Sequence, residues 1–406
     1  MENSTAKPFY NTTIPSDWDV KILGEITKFS QGVQVDLEKQ LTEWQPGYLK
    51  FLRIENYTQS SNDYRYIPGQ AGRDKYINID DIAIVRYGAT AGFIGSGQEG
   101  ILANNLFKVE PNKKVLDKRF LLFLLTDFRA YKYFQNAMFG GAMPALSFDI
   151  VGSYKISLPP LPEQRAIAHV LGLMDSAINQ NNQLIAQREL RKKWLMQNLL
   201  TGKKRLKGFD GEWKVIHIKD VSKEVSIRNK TDKQLTVLSC TKYDGLVESL
   251  EYWGRKIFAD DISTYKIVPK NHFAYATNHI EEGSIGYQDS FDEALISPMY
   301  TVFKTDSSIN DLYFYKLLKS HMLIYQYQNR MEGSIDRRGG LRWDAFSIIK
   351  IHIPSFEEQT AIAKVLQAAD KEIQLLKAKT DKLREQKKGM MQLLLTGKKR
   401  LKIENE

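Results

Sequence analysis

Glu163-Gln164-Arg165-Ala166-Ile167-Ala168-His169-Val170-Leu171 returns later in the chain as Glu358-Gln359-Thr360-Ala361-Ile362-Ala363-Lys364-Val365-Leu366, and this repetition governs how the whole sequence is read. Leu200 to Lys207 recurs unchanged as Leu395 to Lys402, so Pro159 to Lys207 aligns without a gap on Pro354 to Lys402, an offset of 195 residues. Self-similarity of this extent marks a duplicated architecture. Outside the segment the same offset pairs Trp18 with Trp213, Asp149 with Asp344 and Lys155 with Lys350. Between those anchors it drifts: Gly92 to Gly95 matches Gly283 to Gly286 at 191, and Gln135 to Gly140 matches Gln328 to Gly333 at 193. Loops of different length therefore decorate one scaffold. Each half is a divergent domain of roughly 150 residues followed by a similar connector of about 45. The connectors share a job, while the two domains face different targets.

The connectors read as long helices. The first carries Ile167, Leu171, Met174, Ile178, Ile185, Leu195 and Leu199 in alternating steps of four and three, with Asn181, Arg188 and Lys192 filling the remaining seam positions. The second repeats the phase with Ile362, Leu366, Ala369, Ile373, Leu376, Leu383, Met390 and Leu394, and with Thr380 and Lys387 as polar members. This is a heptad seam. Pro162 and Glu163 mark the first start, Ser355 and Glu358 form a capping box at the second, and Gly202 and Gly397 are expected as left-handed C-caps. The lysines beyond them suit the negative end of the helix dipole. A stripe about 57 Å long needs a partner, and the other copy has matching phase. Antiparallel pairing is favoured, because a pseudo-twofold axis between the repeats makes the helices run oppositely. Lys192 and Lys387 share a seam position and would penalise wrong registers. Ordinary bundle helices are the competing reading. The expected fold class is α+β, with two mixed domains separated by two long helices packed as an antiparallel intramolecular coiled coil. The expected boundaries are 1–158 and 206–353 for the domains, and 159–205 and 354–406 for the helices.

Composition narrows the function. A chain of 406 residues, 42% of them apolar, can build more than one core. Its 58 basic against 48 acidic residues, a net +10, attract polyanions without requiring one. The single cysteine, Cys240, excludes an intramolecular disulfide and a cysteine-based zinc site, and fits a reducing, cytoplasmic setting. There is no N-terminal signal pattern. The densest apolar run, Phe120 to Leu125, is too short to span a bilayer, so no membrane association is expected.

Within the domains, Tyr48 to Ile54, Asp81 to Gly88, Thr236 to Cys240 and His272 to Ala276 read as strands, and Phe120 to Phe134 and Leu312 to Gln328 each as a helix. Gly, Arg, Asn and Tyr gather in the loops. The candidates for DNA contact are Arg53, Asn56, Lys75, Arg86 and Tyr87 in the first domain, and Lys242, Tyr243, Asn278, His279, Arg337 and Arg338 in the second. Arginine can bond guanine with two parallel hydrogen bonds and asparagine adenine, while lysines and glycine amides serve phosphates. A solvated or internally paired loop is the alternative at each position. His272 and His279 suggest metal, but no carboxylate or cysteine is read at ligand spacing around them, and no metal is expected. Phe93 to Gly97 and Ser297-Pro298-Met299-Tyr300 resemble the cofactor loop and catalytic tetrapeptide of adenine methyltransferases. The first, however, runs on into strand-like sequence instead of opening a helix, and a long connector separates the two. No catalytic residue is expected.

The two Glu163-type helix starts, the two Leu200-type helix ends and a Trp-opened variable domain before each together resemble the specificity subunits of type I restriction-modification systems over essentially the full length. The second copy departs slightly, with Pro354-Ser355-Phe356-Glu357 in place of Pro159-Pro160-Leu161-Pro162. The resemblance implies two target recognition domains, each reading one half of a bipartite asymmetric DNA site, with the coiled coil as the ruler between them. It also implies two methyltransferase subunits that modify adenine and restriction subunits that translocate and cut. S-adenosylmethionine, Mg and ATP would then belong to those partners alone. A coiled-coil adaptor that binds proteins through two related domains is the alternative.

Overall fold

The computed structural model describes residues 6–401 apart from 11, 71–74, 139–144, 232 and 333–339. The chain forms two compact units, Met1–Asn181 with Lys379–Glu406, and Asn182–Ala378. These cut across the linear segments expected from sequence. Each long helix begins in one unit and ends in the other.

Both helices have 39 residues, Leu161–Leu199 and Phe356–Leu394, and their ends lie one repeat apart. Every seam position is buried or half-buried, the polar members included. Ile167, Leu171, Ile178, Ile362, Leu366 and Ile373 are buried, while Met174, Ile185, Leu376 and Leu383 are partly so. Charged pairs show the direction. In the first unit Asp175 pairs with Lys387 at 2.5 Å. In the second Lys192 pairs with Asp370 at 2.5 Å, Arg188 with Glu372 at 2.7 Å and Glu189 with Lys377 at 2.7 Å. Glu163 meets Arg400 and Asp175 meets Lys387 in the first unit, and Arg188 meets Glu372 and Lys192 meets Asp370 in the second, so the packing within each unit is antiparallel. Lys192–Asp370 and Lys387–Asp175 are the same pair one repeat apart, which gives the two seam lysines partners in one register only.

A latch closes each helix pair. In the first unit Glu163, 1% exposed, accepts from the Trp18 indole at 3.1 Å and from Arg400 at 2.5 and 2.7 Å. Arg400 also donates twice to Asp17 at 2.9 Å. The arginine hydrogen bond holds the Asp17 carboxyl below the usual carboxylate range. Gly397 makes the approach possible: its φ is +68°, and a Cβ there would lie 2.4 Å from Pro15. In the second unit Arg205 donates to Glu358 twice at 2.5 Å, and Gly202 takes the left-handed turn at φ +69°. Here the Trp213 indole nitrogen is buried and makes no hydrogen bond among the described residues. The capping box forms only by half: Ser355 Oγ accepts the Glu358 N–H at 3.3 Å, while the Glu358 carboxylate goes to Arg205.

The glutamine beside each buried glutamate ties the helix to its own domain. Gln164 Oε1 accepts the Asp117 N–H at 2.8 Å, and its amide nitrogen donates to Pro159 O and Val115 O. Gln359 repeats this with the Asn310 N–H at 2.8 Å and with Pro354 O. Asp117 and Asn310 are in turn the N-caps of Lys118–Thr126 and Asp311–Leu318.

Each domain is built on one antiparallel sheet. In the first, Thr27–Gln31, Leu106–Pro111, Ile82–Val85 and Ile94–Gly95 lie in that order; in the second, Ser222–Val225, Tyr300–Thr305, His272–Ala276 and Ile285–Gln288 do the same. A two-stranded ribbon enters and leaves each domain, Asp19–Ile22 with Lys155–Leu158, and Lys214–His217 with Lys350–Ile353. Extra strands differ. Tyr48–Leu52 joins a second four-stranded sheet in the first domain, and Leu238–Thr241 pairs with Gly245–Glu248 in the second. The single helix expected over Phe120 to Phe134 is two, Lys118–Thr126 and Phe128–Met138, and that over Leu312 to Gln328 is Asp311–Leu318 and His321–Glu332. The breaks fall at capping residues: Asp127 is extended and accepts the Arg129 N–H, and the Ser320 hydroxyl accepts that of Leu323.

Asp81 anchors the strand Ile82–Val85. Its carboxylate accepts from Lys118 at 2.5 Å and from the Asn78 N–H at 2.9 Å, with Lys108 3.5 Å away. Burial alone would raise this carboxyl, but these donors outweigh it and hold it down at about 2.

Two outcomes follow from these contacts. Glu163→Gln should destabilise the protein by about 2 to 3 kcal/mol in urea unfolding, because it leaves Arg400 and Trp18 short of an acceptor, and Glu358→Gln should cost less; equal losses would contradict an unequal pair of latches. Asp81→Asn should lower stability at neutral pH. Because the folded carboxyl titrates below its ordinary 3.8, that difference should persist above pH 3.8 and vanish as pH falls through about 2.

Candidate nucleic-acid interface

The loop residues singled out from sequence separate into spent and available groups. Arg53 precedes the short helix Ile54–Thr58; its guanidinium pairs with Glu55 at 2.8 Å and donates to Asp63 O at 2.9 Å. Asn56 is 1% exposed: its Oδ1 accepts the Arg53 N–H at 2.8 Å and its amide nitrogen donates to Ser61 O at 2.9 Å. The Asn56 carboxamide is buried and engaged in holding this turn, so it presents no group to a base, while Arg53 has two guanidinium nitrogens engaged in the same turn and its Nε buried without a partner among the described residues. Lys75 lies just before the strand Tyr76–Ile77. Arg337 and Arg338 lie outside the described residues.

The remaining candidates cluster where strands end. Arg86 and Tyr87 follow Ile82–Val85, and the Arg86 guanidinium lies 4.8 Å from the Tyr87 ring centroid. Lys242 and Tyr243 form the hairpin turn between Leu238–Thr241 and Gly245–Glu248; the Tyr243 side chain is 79% exposed. Lys242 Nζ sits 5.5 Å from that ring and 4.0 Å from Glu282. Asn278 and His279 are exposed and follow His272–Ala276 directly. The fold thus brings the hairpin turn of Lys242 and Tyr243 beside the short turn Ile280–Glu282 that His279 opens.

The same turn corrects the reading of His279. Its ring, Glu281 and Glu282 place ligand atoms within 4.8 Å of one another, so carboxylates do lie near this histidine. His279 and Glu282 are exposed, as turn carboxylates commonly are without an ion.

The methyltransferase-like motifs lie in different units, and the first lacks the helix that a cofactor loop needs. Ile94–Gly95 is a strand paired with Ala83 and Ile84, and Gly100–Leu102 is another, so no helix opens behind the glycines. Ser297 to Met299 is a loop entering the strand Tyr300–Thr305 in the other unit.

Sequence reasoning marked Trp18, Arg205 and Arg400 as matches of the repeat without a role, and read Glu163 and Glu358 only as helix-start residues. The signal was their recurrence together at one offset. It also missed that Thr277 stands where Arg86 stands, although the offset of 191 between the neighbouring glycines pointed to it. Among the described residues no helix is long and apolar enough to cross a membrane.

Comparison with known proteins agrees with this doubled construction. The family model for the type I restriction modification DNA specificity domain matches residues 15–189 and again 210–385. The MjaVIII specificity subunit of Methanocaldococcus jannaschii is 26% identical, over 98% of this chain and 96% of its own length. The HindI specificity subunit of Haemophilus influenzae is 26% identical over 58% of this chain and 53% of its own. An S subunit structure from M. genitalium shares the fold with a TM-score of 0.61 at 15% identity, covering 96% of this chain and 98% of that one. A chain from a structure addressing complex assembly and conformational transition of the type I R-M system gives 0.54 at 16% identity, covering 96% and 100%. With its domain matched twice over most of the sequence, this chain belongs to the type I restriction-modification DNA specificity family.

Proposed function

We propose that this protein sets the DNA sequence specificity of a type I restriction-modification complex, with each domain reading one half of a bipartite asymmetric site. One observation carries this reading: two domains share the same four-strand order and the same attachment to a long helix, yet differ in the loops at their strand ends. A duplicated frame with unlike loops suits two unlike half-sites. The net charge of +10 favours a polyanionic partner.

The chemistry then belongs to other subunits. This chain directs adenine methylation by two methyltransferase subunits and restriction by translocase subunits, and S-adenosylmethionine, Mg and ATP serve those partners. The protein works in the cytoplasm, where such complexes meet DNA. The latches support a spacer role for the long helices, since one closes the helix pair in each unit. Half-sites about one helical turn apart present the same groove face, so a spacer of set length selects their separation.

Methylation mapping in cells that carry this chain with its methyltransferase partner should reveal one bipartite motif, and exchanging residues 1–158 for another subunit's domain should change one half only. Binding of the assembled complex should weaken as salt rises while keeping its preference for that motif. An adaptor that binds proteins alone would show neither. Inserting one heptad into both helices, after Gln183 and after Ala378, should lengthen the unread spacer and leave both half-sites unaltered. An unchanged spacer would remove the ruler role.

A further inference from the structure

Arg86 with Tyr87, and Thr277 with Asn278, occupy one place in the duplicated frame. The strands before them align at the offset of 191, with Ala83 opposite Gly95 in one sheet and Ala274 opposite Gly286 in the other. The carbonyl of the first member of each pair accepts the N–H of a leucine on the segment returning to the connector. Leu146 donates to Arg86 O at 2.8 Å, and Leu341 donates to Thr277 O at 2.9 Å. Leu146 and Leu341 are themselves one repeat apart. One backbone bond therefore fixes both pairs while the side chains diverge.

We infer that this pair of positions reads bases in each domain, with Arg86, its first member, reading guanine in one half-site and Asn278, its second, reading adenine in the other. The inference rests on the DNA-specificity reading above and adds the residues and bases to it.

Arg86 is presented in a form suited to this. Its guanidinium sits 4.8 Å from the Tyr87 ring and 5.7 Å from that of Phe148. It makes no ion pair among the described residues, and its Nε is buried without a hydrogen-bond partner. Arg53, Arg129, Arg205 and Arg400, by contrast, are all paired with carboxylates. An arginine packed against rings keeps its planar fork in one orientation, so little freedom is lost when it meets a base. That fork matches guanine O6 and N7 in the major groove.

Asn278 is exposed and forms a shared wall of two clefts of about 330 and 390 Å³. Its amide nitrogen makes no hydrogen bond among the described residues. Its Oδ1 faces only the Thr277 hydroxyl at 3.3 Å, which has Met299 O as a nearer acceptor at 3.0 Å. Gly340 lets the returning segment close on this pair, since a Cβ there would lie 2.3 Å from Asn278 Oδ1. A carboxamide whose nitrogen is unspent among the described residues offers the donor that adenine N7 requires, with its oxygen beside it as the acceptor for N6.

The test uses the complex assembled with its methyltransferase partner, and reads both the methylated motif and competition binding by sites differing at one base pair. Arg86→Ala should reduce preference for G·C at a single position of the half-site read by the first domain, about tenfold or more, with the other half unchanged. Arg86→Gln, which keeps much of the stem on the rings, should move that preference toward A·T. Asn278→Ala should remove an A·T preference at one position of the opposite half-site. Equal weakening at all sites, or an unaltered motif, would overturn the assignment and leave the two residues structural. Should Arg86→Ala not fold, Arg86→Gln and Asn278→Ala decide the matter. A wild-type complex that methylates no bipartite motif would instead overturn the specificity reading on which the assignment stands.

Discussion

A carboxylate shut away from water at the head of each long helix is met by an arginine that reaches it from the tail of the other repeat. Glu163 and Glu358 are each 1% exposed, and Arg400 and Arg205 are their partners. A buried charge left alone would cost several kcal/mol, so the rest of the chain must deliver that arginine. The two partners lie 237 and 153 residues from the glutamates they meet. Neither unit is complete without chain drawn from both repeats, and the first unit cannot close until the last helix has been made. Long-range closure of this kind delays folding, because loop entropy is lost before the contact is gained.

Around the latch the molecule separates what must be constant from what must vary. Constant are the glutamate, the glutamine beside it that grips the N-cap of the domain's late helix, the glycine that turns the chain back, and the arginine beyond. Each answers a geometric demand that both copies share. Variable are the loops at the strand ends, which no packing requirement fixes. The hydrogen bonds from Leu146 to Arg86 and from Leu341 to Thr277 mark the boundary, since they hold identical backbone beneath unlike side chains. Side chains at these positions can therefore differ without disturbing the frame.

The latches are alike in plan and unequal in strength. Arg400 has two carboxylates and a tryptophan donor sharing its glutamate, while Arg205 has Glu358 and a tryptophan whose indole N–H has no partner among the described residues. Glu212 stands before Trp213 where Asp17 stands before Trp18, and among the described residues it makes no ion pair with Arg205.

The seam was legible from periodicity alone, because a heptad repeat depends only on which residues recur, and every seam position is withdrawn from solvent. The helix ends were equally plain, since Gly202 and Gly397 are needed wherever the chain must turn left-handed. The direction of pairing could be argued from the duplication; the register was settled by Lys192 meeting Asp370 and Lys387 meeting Asp175. Other features were beyond any local reading. Whether Arg53 and Asn56 were free to meet a ligand depended on Asp63 and Ser61, which the turn brings back to them. The late helices looked continuous because apolar spacing passes through Asp127 and Ser320, and only the backbone shows these residues capping a second helix. Periodicity along the chain fixes which residues are withdrawn from water. Which polar groups remain unspent is decided by contacts between distant segments, and only the folded molecule contains them.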